Sequence, residues 1–465
     1  MRRNSFLAAV LVTSAAAAVG VACKKSDGTS ATRAERAADN SETPVGSSGK
    51  AATATPGEEL PAPPDFETTS RILLSAPEAE PSDWFAARVS LSGTTAAAGA
   101  QGDAGESEDV GAVYIFELSG AKEPIKLTAS DGLRGDEFGN SIALSGDTLA
   151  VGAFRADRAD GAGEELSMME RGDDTGSVYI FERKGGEWRE AAKITPPDPD
   201  STRYFGSLVA LEGDTLLVGV PLEKVGGIRS AGAVYVYERG KGEASGWKHA
   251  GTLSAPEKQA HAEFGEDLAI FGDVAVVGAR LEDENGPRAG AAYVYERERG
   301  GGWTLSQRLS PDDGKAEAVF GTAVAASARF VAVGAPGYEE DGEAVGAVYV
   351  YARGESSGEA WTETARLSLD HAVVGRRLEF GSDVALDGAA LVASTLHHEE
   401  LNSVFAFTLD RDTGEWSRAA ELLPESGPGA DFGASVDIDG SRVLVGDPGH
   451  EQGPVMFLFE ASESD

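Results

Sequence analysis

Apolar residues fall into short runs separated by glycine, aspartate and serine, and the runs come in sets of four. The first run of a set follows a Phe-Gly step, as in Ser141-Ile142-Ala143-Leu144, Leu208-Val209-Ala210-Leu211 and Asp383-Val384-Ala385-Leu386. The second comes almost at once, as Thr148-Leu149-Ala150-Val151, Thr215-Leu216-Leu217-Val218 and Val274-Ala275-Val276-Val277. Between them stand Gly146-Asp147, Gly213-Asp214, Asp387-Gly388 or Asp439-Gly440, pairs that accept the positive φ a two-residue hairpin demands. The third run is the most regular, from Val113-Tyr114-Ile115-Phe116 through Val234-Tyr235-Val236-Tyr237 to Met456-Phe457-Leu458-Phe459. The fourth carries a tryptophan and then an aliphatic residue: Trp188 with Ile194, Trp247 with Leu253, Trp303 with Leu309, Trp361 with Leu367, Trp416 with Leu422. Four short runs joined by turns predict four antiparallel strands per set.

The Phe-Gly step stands at Phe138, Phe205, Phe264, Phe320, Phe380 and Phe432, with Phe85-Ala86 as a weaker first copy, at intervals of 52–67 residues. A unit of that length repeating along a chain signals a solenoid, propeller or array. Third strands are apolar on both faces, so each sheet must be covered on both sides. First strands are rich in small residues (Ser141, Ala143, Ala323, Ala325, Ser435), which suits a crowded centre where they converge. Both observations fit an all-β, seven-bladed β-propeller of four-stranded antiparallel blades. The seventh unit ends after Phe459 with no tryptophan-bearing strand left. Arg71-Ile72-Leu73-Leu74-Ser75-Ala76-Pro77 resembles Gly251-Thr252-Leu253-Ser254-Ala255-Pro256, so residues 70–75 are expected to supply the last blade's outer strand and close the ring.

The chain's 465 residues include 77 acidic and 40 basic ones, a net charge of −37. That charge repels nucleic acid and anionic membrane surfaces, so neither is expected as a partner. The start combines Met1-Arg2-Arg3, an apolar run over residues 6–22 and then Cys23, the sole cysteine. This reads as a secretion signal, and a lone cysteine excludes an internal disulfide. Val21-Ala22-Cys23 resembles the end of a bacterial lipoprotein signal, which implies acylation of Cys23. Ordinary cleavage near residues 18–22 and an uncleaved anchor remain as alternatives. Residues 24–68 are rich in Ser, Thr, Ala, Gly and Pro, a composition that buries too little apolar surface to order. The expected organisation is a signal over 1–22, a disordered linker over 23–68 behind the lipidated cysteine, and the propeller over 69–465.

The repeats resemble FG-GAP units, which build the propeller of integrin α subunits and of many bacterial surface proteins. The resemblance rests on the Phe-Gly steps and on Gly334-Ala335-Pro336, with variants at Gly219-Val220-Pro221, Gly446-Asp447-Pro448, Gly152-Ala153-Phe154 and Gly278-Ala279-Arg280. Blade six departs most, with Ala393-Ser394-Thr395. The resemblance implies a binding role more than a reaction. Many such repeats hold Ca²⁺ in an acidic loop between first and second strands. Here those loops are two-residue turns, too short for six to eight oxygen ligands, so no metal or other cofactor is expected.

The loops between second and third strands are the long ones, and they are acidic. Asp103, Asp109, Asp157, Asp160, Asp173, Asp283 and Asp341 mark a candidate binding face, weighed against loops that are simply solvated. Arg134-Gly135-Asp136 and Arg171-Gly172-Asp173 match a tripeptide some integrins recognise, and chance accounts for both in so Gly- and Asp-rich a chain. The six histidines show no metal-ligand spacing, and there is no nucleophile elbow or phosphate loop. The expectation is a monomeric, non-catalytic, lipid-anchored propeller of the cell envelope, binding a protein or glycan or scaffolding an assembly, and touching the membrane only through its anchor. A hydrolase or lyase with a site at the propeller mouth is the alternative, distinguished by acidic, His or Arg side chains converging at the centre. A divalent-cation-dependent adhesin is a third.

Overall fold

The computed structural model describes residues 62–462, apart from 104–109, 121, 158–173, 241–245, 299–300, 341, 355–358, 370–377, 397–401 and 425. Cys23 and the expected signal and linker up to residue 61 lie outside the described residues. The chain forms seven four-stranded antiparallel sheets, which we number as blades 1 to 7 in chain order. Blade 2 shows the plan: Ser141–Ser145 innermost, then Thr148–Ala153, Ser177–Lys184 and Glu187–Ile194 outermost. Each inner strand packs against the inner strands of both neighbours, and Val436–Asp439 of blade 7 meets Val89–Ser92 of blade 1. The ring is closed: this is the seven-bladed propeller that the strand pattern predicts.

Blade 7 takes its outer strand from the far end of the chain. Asp65–Leu74 pairs antiparallel with Val455–Ser462, Leu74 opposite Met456 and Ser70 opposite Glu460. The closing strand expected at 70–75 is therefore present, and it starts earlier, at Asp65. Phe66 explains the extension, because its side chain is buried in the core between blades 6 and 7.

The innermost hairpins are as tight as their sequences demand. Ser145 stands opposite Thr148, which leaves only Gly146-Asp147 in the turn. Gly146 has φ of 56° and Asp147 does not share the positive sign, the pattern of a type II′ turn. Blade 5 differs, with three residues between Val324–Ala326 and Phe330–Ala335.

The two residues of the Phe-Gly step have separate tasks. The seven phenylalanines from Phe85 to Phe432 are fully buried, each packed against an aromatic ring on its own third strand. Phe138 and Tyr179 lie 5.4 Å apart at 74°, an edge-to-face contact contributing about 0.5–1.5 kcal/mol beyond burial. The glycine allows neighbouring blades to touch through backbone. A Cβ on Gly139 would fall 2.4 Å from the Ala112 carbonyl oxygen, and one on Gly99 would fall 2.1 Å from that of Gly139. The same contact closes the ring, with Gly446 against the carbonyl oxygen of Ala86.

At the end of the ring that carries the inner hairpin turns, arginines latch four successive seams. Arg183 of blade 2 donates to Glu117 and Thr95 of blade 1 at 2.9 and 3.2 Å, and stacks over its own blade's Trp188 at 5.5 Å. Arg239 repeats this with Glu182, Thr148 and Trp247. Arg297 does so with Glu238, Thr215 and Trp303, and Arg353 with Glu296 and Trp361. The series stops at the seam between blades 5 and 6. There Ala352 and Leu409 stand where glutamate and arginine would be, and Trp416 packs edge-on against Phe330 at 5.5 Å and 85°. All four of these side chains are buried in one apolar cluster.

Candidate binding surfaces

The end of the ring opposite the hairpin turns carries the second-to-third loops and the blade-to-blade connections. Of the acidic positions proposed there, Asp109, Asp160, Asp173 and Asp341 lie outside the described residues. The three that are described differ in kind. Asp283 is exposed, and its carboxylate accepts the Arg288 backbone N–H at 2.7 Å. Asp157 is half-buried and accepts the Asp174 N–H at 3.2 Å, which pins its own loop. Asp103 is buried, and the Tyr114 hydroxyl and the Lys126 ammonium both donate to it at 2.7 Å. Its carboxylate is part of the packing, not of a solvated rim.

The Asp103 arrangement recurs. In each case a third-strand tyrosine donates to a carboxylate that also receives the cation standing opposite that tyrosine on the fourth strand. Tyr179 and Lys193 hold Asp131 at 2.7 and 2.8 Å. Tyr293 and Arg308 hold Glu282, and Tyr349 and Arg366 hold Asp313. Burial opposes ionisation of Asp131, yet the hydrogen bonds from Lys193 and Tyr179 pull its carboxyl below the usual range. Burial first, and then the adjacent carboxylate, raise the tyrosines well above their ordinary value, so they remain donors. Sequence reading missed these clamps, although the cation opposite each tyrosine was a usable signal. Exposed acid remains beside them at Asp283, Glu284, Glu339 and Glu343.

A second cluster lies on the axis. The residue three places after each Phe of the step is Arg88, Ser141, Leu208, Asp267, Ala323, Asp383 and Ser435 around the ring, and Asp437 lies two further along in blade 7. The carboxylates of Asp267, Asp383 and Asp437 keep some access to water yet are enclosed by protein on every side, as expected of a narrow axial channel. Each accepts a backbone N–H from the next blade: Val324 to Asp267 at 2.7 Å, Val436 to Asp383 at 2.8 Å, Leu91 to Asp437 at 2.7 Å. Burial pushes Asp267 and Asp437 up to about 7 and Asp383 to about 6, with Arg88 opposing the shift at Asp267 and Asp383. Glu266, fully buried beside Arg280, is also raised to about 7, mainly by burial.

Two further motifs are placed by the structure. Asp136 of Arg134-Gly135-Asp136 is buried and accepts the Leu133 N–H at 2.9 Å, so this tripeptide is not displayed; Arg171-Gly172-Asp173 lies outside the described residues. His450 approaches the Ser426 hydroxyl at 3.3 Å through Nε2, while its Nδ1 accepts the Gln452 N–H. A neutral ring accepting at Nδ1 carries its proton on Nε2, the wrong tautomer for a base acting on Ser426. Among the described residues, no group of three or more His, Cys, Asp or Glu side chains is arranged to hold a metal ion.

The architecture defines a class, the closed β-propeller with an N-terminal closing strand. Within it, the FG-GAP repeat family matches residues 69–116, 122–181, 188–237, 247–295 and 303–351, more than half of the chain, and the protein belongs to that family. Four matched segments begin on the outer strand of one blade and the fifth, from residue 122, begins just before one; all end on the third strand of the next, so sequence repeat and blade are out of phase by one strand. No curated protein matches the sequence. Similar solved structures include the propeller domain of the Trilobed protease from Pyrococcus furiosus, at 11% identity and TM-score 0.45, over 81% of this chain and 97% of that one. The Pseudomonas aeruginosa periplasmic gluconolactonase is similar at 13% identity and TM-score 0.42, over 86% and 98%. Saccharomyces cerevisiae Sqt1 is similar at 13% and 0.42, over 83% and 98%.

Proposed function

We propose that this protein is a non-catalytic propeller of the bacterial cell envelope, lipid-anchored through Cys23, that binds a protein or glycan partner through its long-loop end. The supporting observation is the contrast between the two ends. The turn end is built of near-identical hairpins and internally paired charges, whereas the other end has unequal loops and exposed acid at Asp283, Glu284, Glu339 and Glu343. Variable loops on a rigid scaffold are where binding chemistry accumulates. The surplus acid suits a partner with a cationic surface, and such an encounter weakens with salt. In a pull-down from envelope extract with the full-length chain, a partner should be retained at low salt and lost on charge reversal of those four residues. Retention by the reversed variant would refute the assignment of the face. Cys23→Ala should move the protein out of the membrane fraction, and unaltered fractionation would refute the anchor.

The convergence of Arg88, Asp267 and Asp383 on the axis favours the hydrolase or lyase as a second reading. We place it second because each axial aspartate already accepts backbone N–H groups from two strands, the work of a structural brace. Hydrolytic turnover that disappears in Arg88→Ala without loss of folding would reverse that order.

A further inference from the structure

We propose that the axial carboxylates of Asp267, Asp383 and Asp437 make the ring acid-responsive, taking up protons as the solution passes from mildly alkaline to mildly acidic and thereby stabilising the closed propeller. The proposal rests first on placement. These three side chains bridge blade 4 to 5, blade 6 to 7 and blade 7 to 1 through the N–H groups of Val324, Val436 and Leu91. At the seams from blade 1 to 2 and from 2 to 3, the equivalent bridges are hydroxyls that do not titrate, Ser90 to the Leu144 N–H and Ser141 to the Val209 N–H. The titrating bridges therefore lie in one part of the ring, while burial also raises Asp136 and Asp447, away from the inner strands, to about 6.

The facing charges are few. Blade 1 contributes Arg88, and blade 4 contributes Glu266, which sits with Arg280 and Glu263. The equivalent axial positions of blades 2, 3 and 5 are Ser141, Leu208 and Ala323, which carry no charge. Asp383 lies close enough to both Asp267 and Asp437 to raise them further. Like charges in an enclosed place disfavour ionisation. All three aspartates titrate in the fold near 6 to 7, above the unfolded value of 3.8. The folded state thus binds more protons than the unfolded one in that interval, and stability rises as pH falls from about 7 towards 4.

Surface self-repulsion in so acidic a protein gives a slope of the same sign, so the test must separate the two. Carbon-13 titration of aspartate-labelled full-length protein should show five carboxyls changing between about pH 6 and 7, the three axial ones lost in D267N/D383N/D437N and those of Asp136 and Asp447 retained. The melting midpoint should rise by roughly 5 °C between about pH 8 and 5.5 and keep most of that rise at about 0.5 M NaCl, where exposed charges are screened but enclosed ones are not. D267N/D383N/D437N should make the slope distinctly shallower, leaving the part carried by Glu266, Asp136 and Asp447, whereas the exposed control E257Q/D412N/E451Q should preserve it. Should the triple variant fail to fold, D383N alone should remove one of the three titrations. The proposal is overturned if the aspartates all titrate below about pH 5, if salt abolishes the slope, or if the control flattens it equally.

Discussion

The seam between blades 2 and 3 and the seam between blades 5 and 6 occupy equivalent places in the ring and are made of opposite materials. At the first, Arg239 lies on Trp247 and reaches across to Glu182 and Thr148. At the second, Leu409 replaces the arginine, Ala352 the glutamate and Phe330 the threonine, while Trp416 leans on Phe330. The backbone contact beneath keeps the same form, since Gly152 and Gly334 each abut a Phe-Gly carbonyl of the next blade. Blade geometry is therefore set by the glycines and the buried phenylalanines, and the latch above them can be ionic or apolar. The family pattern covers the repeats up to residue 351 and stops where the latch changes character.

The comparison can be pressed hardest at the closing seam, where the partner strand is not covalently continuous with its blade. Removing residues 65–74 strips blade 7 of its outer strand and should abolish a single cooperative melting transition; an unchanged melt would refute the closure. Trp416→Ala comes next, at about 3–5 kcal/mol for a buried aromatic. Its cost should be nearly independent of salt in denaturant titrations. Arg239→Ala should cost about 1–2 kcal/mol, combining a half-buried ion pair with a ring contact. If it proved costlier than Trp416→Ala, the ranking of the two materials would be wrong. Smallest is the pairwise term between Glu182 and Arg239, about 0.5–1 kcal/mol in a double-mutant cycle and shrinking at high salt.

Acid should separate the seams as well. The Asp273 carboxyl is held below its usual range, first by the hydrogen bonds from Arg353, with burial opposing. A lowered folded value means that this contribution is present above the unfolded value and is lost only as pH falls through the folded one. The latch between blades 4 and 5 should therefore survive mild acid that has already protonated the axial aspartates. Carbon-13 titration of Asp273 checks this, and a midpoint above about 4 would contradict it.

Most of the fold was legible in the chain because its signals are local. A two-residue turn, a Phe-Gly step and a doubly apolar strand each state their own geometry, and the missing tryptophan strand pointed to Arg71 and its neighbours. The state of individual carboxylates was not legible in the same way. Asp103 and Asp283 sit in comparable acidic loops, yet one is clamped by Tyr114 and Lys126 and the other is exposed. That difference depends on which loop carboxylate reaches the tyrosine, Asp103 in blade 1 but Glu282 and not Asp283 in blade 4, a placement that emerges only once the loop is folded. Asp383 is the instructive miss: it lies within an inner strand, at the position held by serine or alanine in three other blades.

Asp65 stands opposite Ser462 in the closing ladder, so both ends of the propeller leave the ring at one corner. A short linker between them would make the ring covalently continuous and free its opening point to be moved, for example to the exposed Gly185-Gly186 hairpin of blade 2. Such a permutant would turn the closing seam into an ordinary hairpin and make another blade the one assembled from both ends of the chain. Any cargo fused after residue 462 would emerge beside Asp65, at the rim and away from the axis.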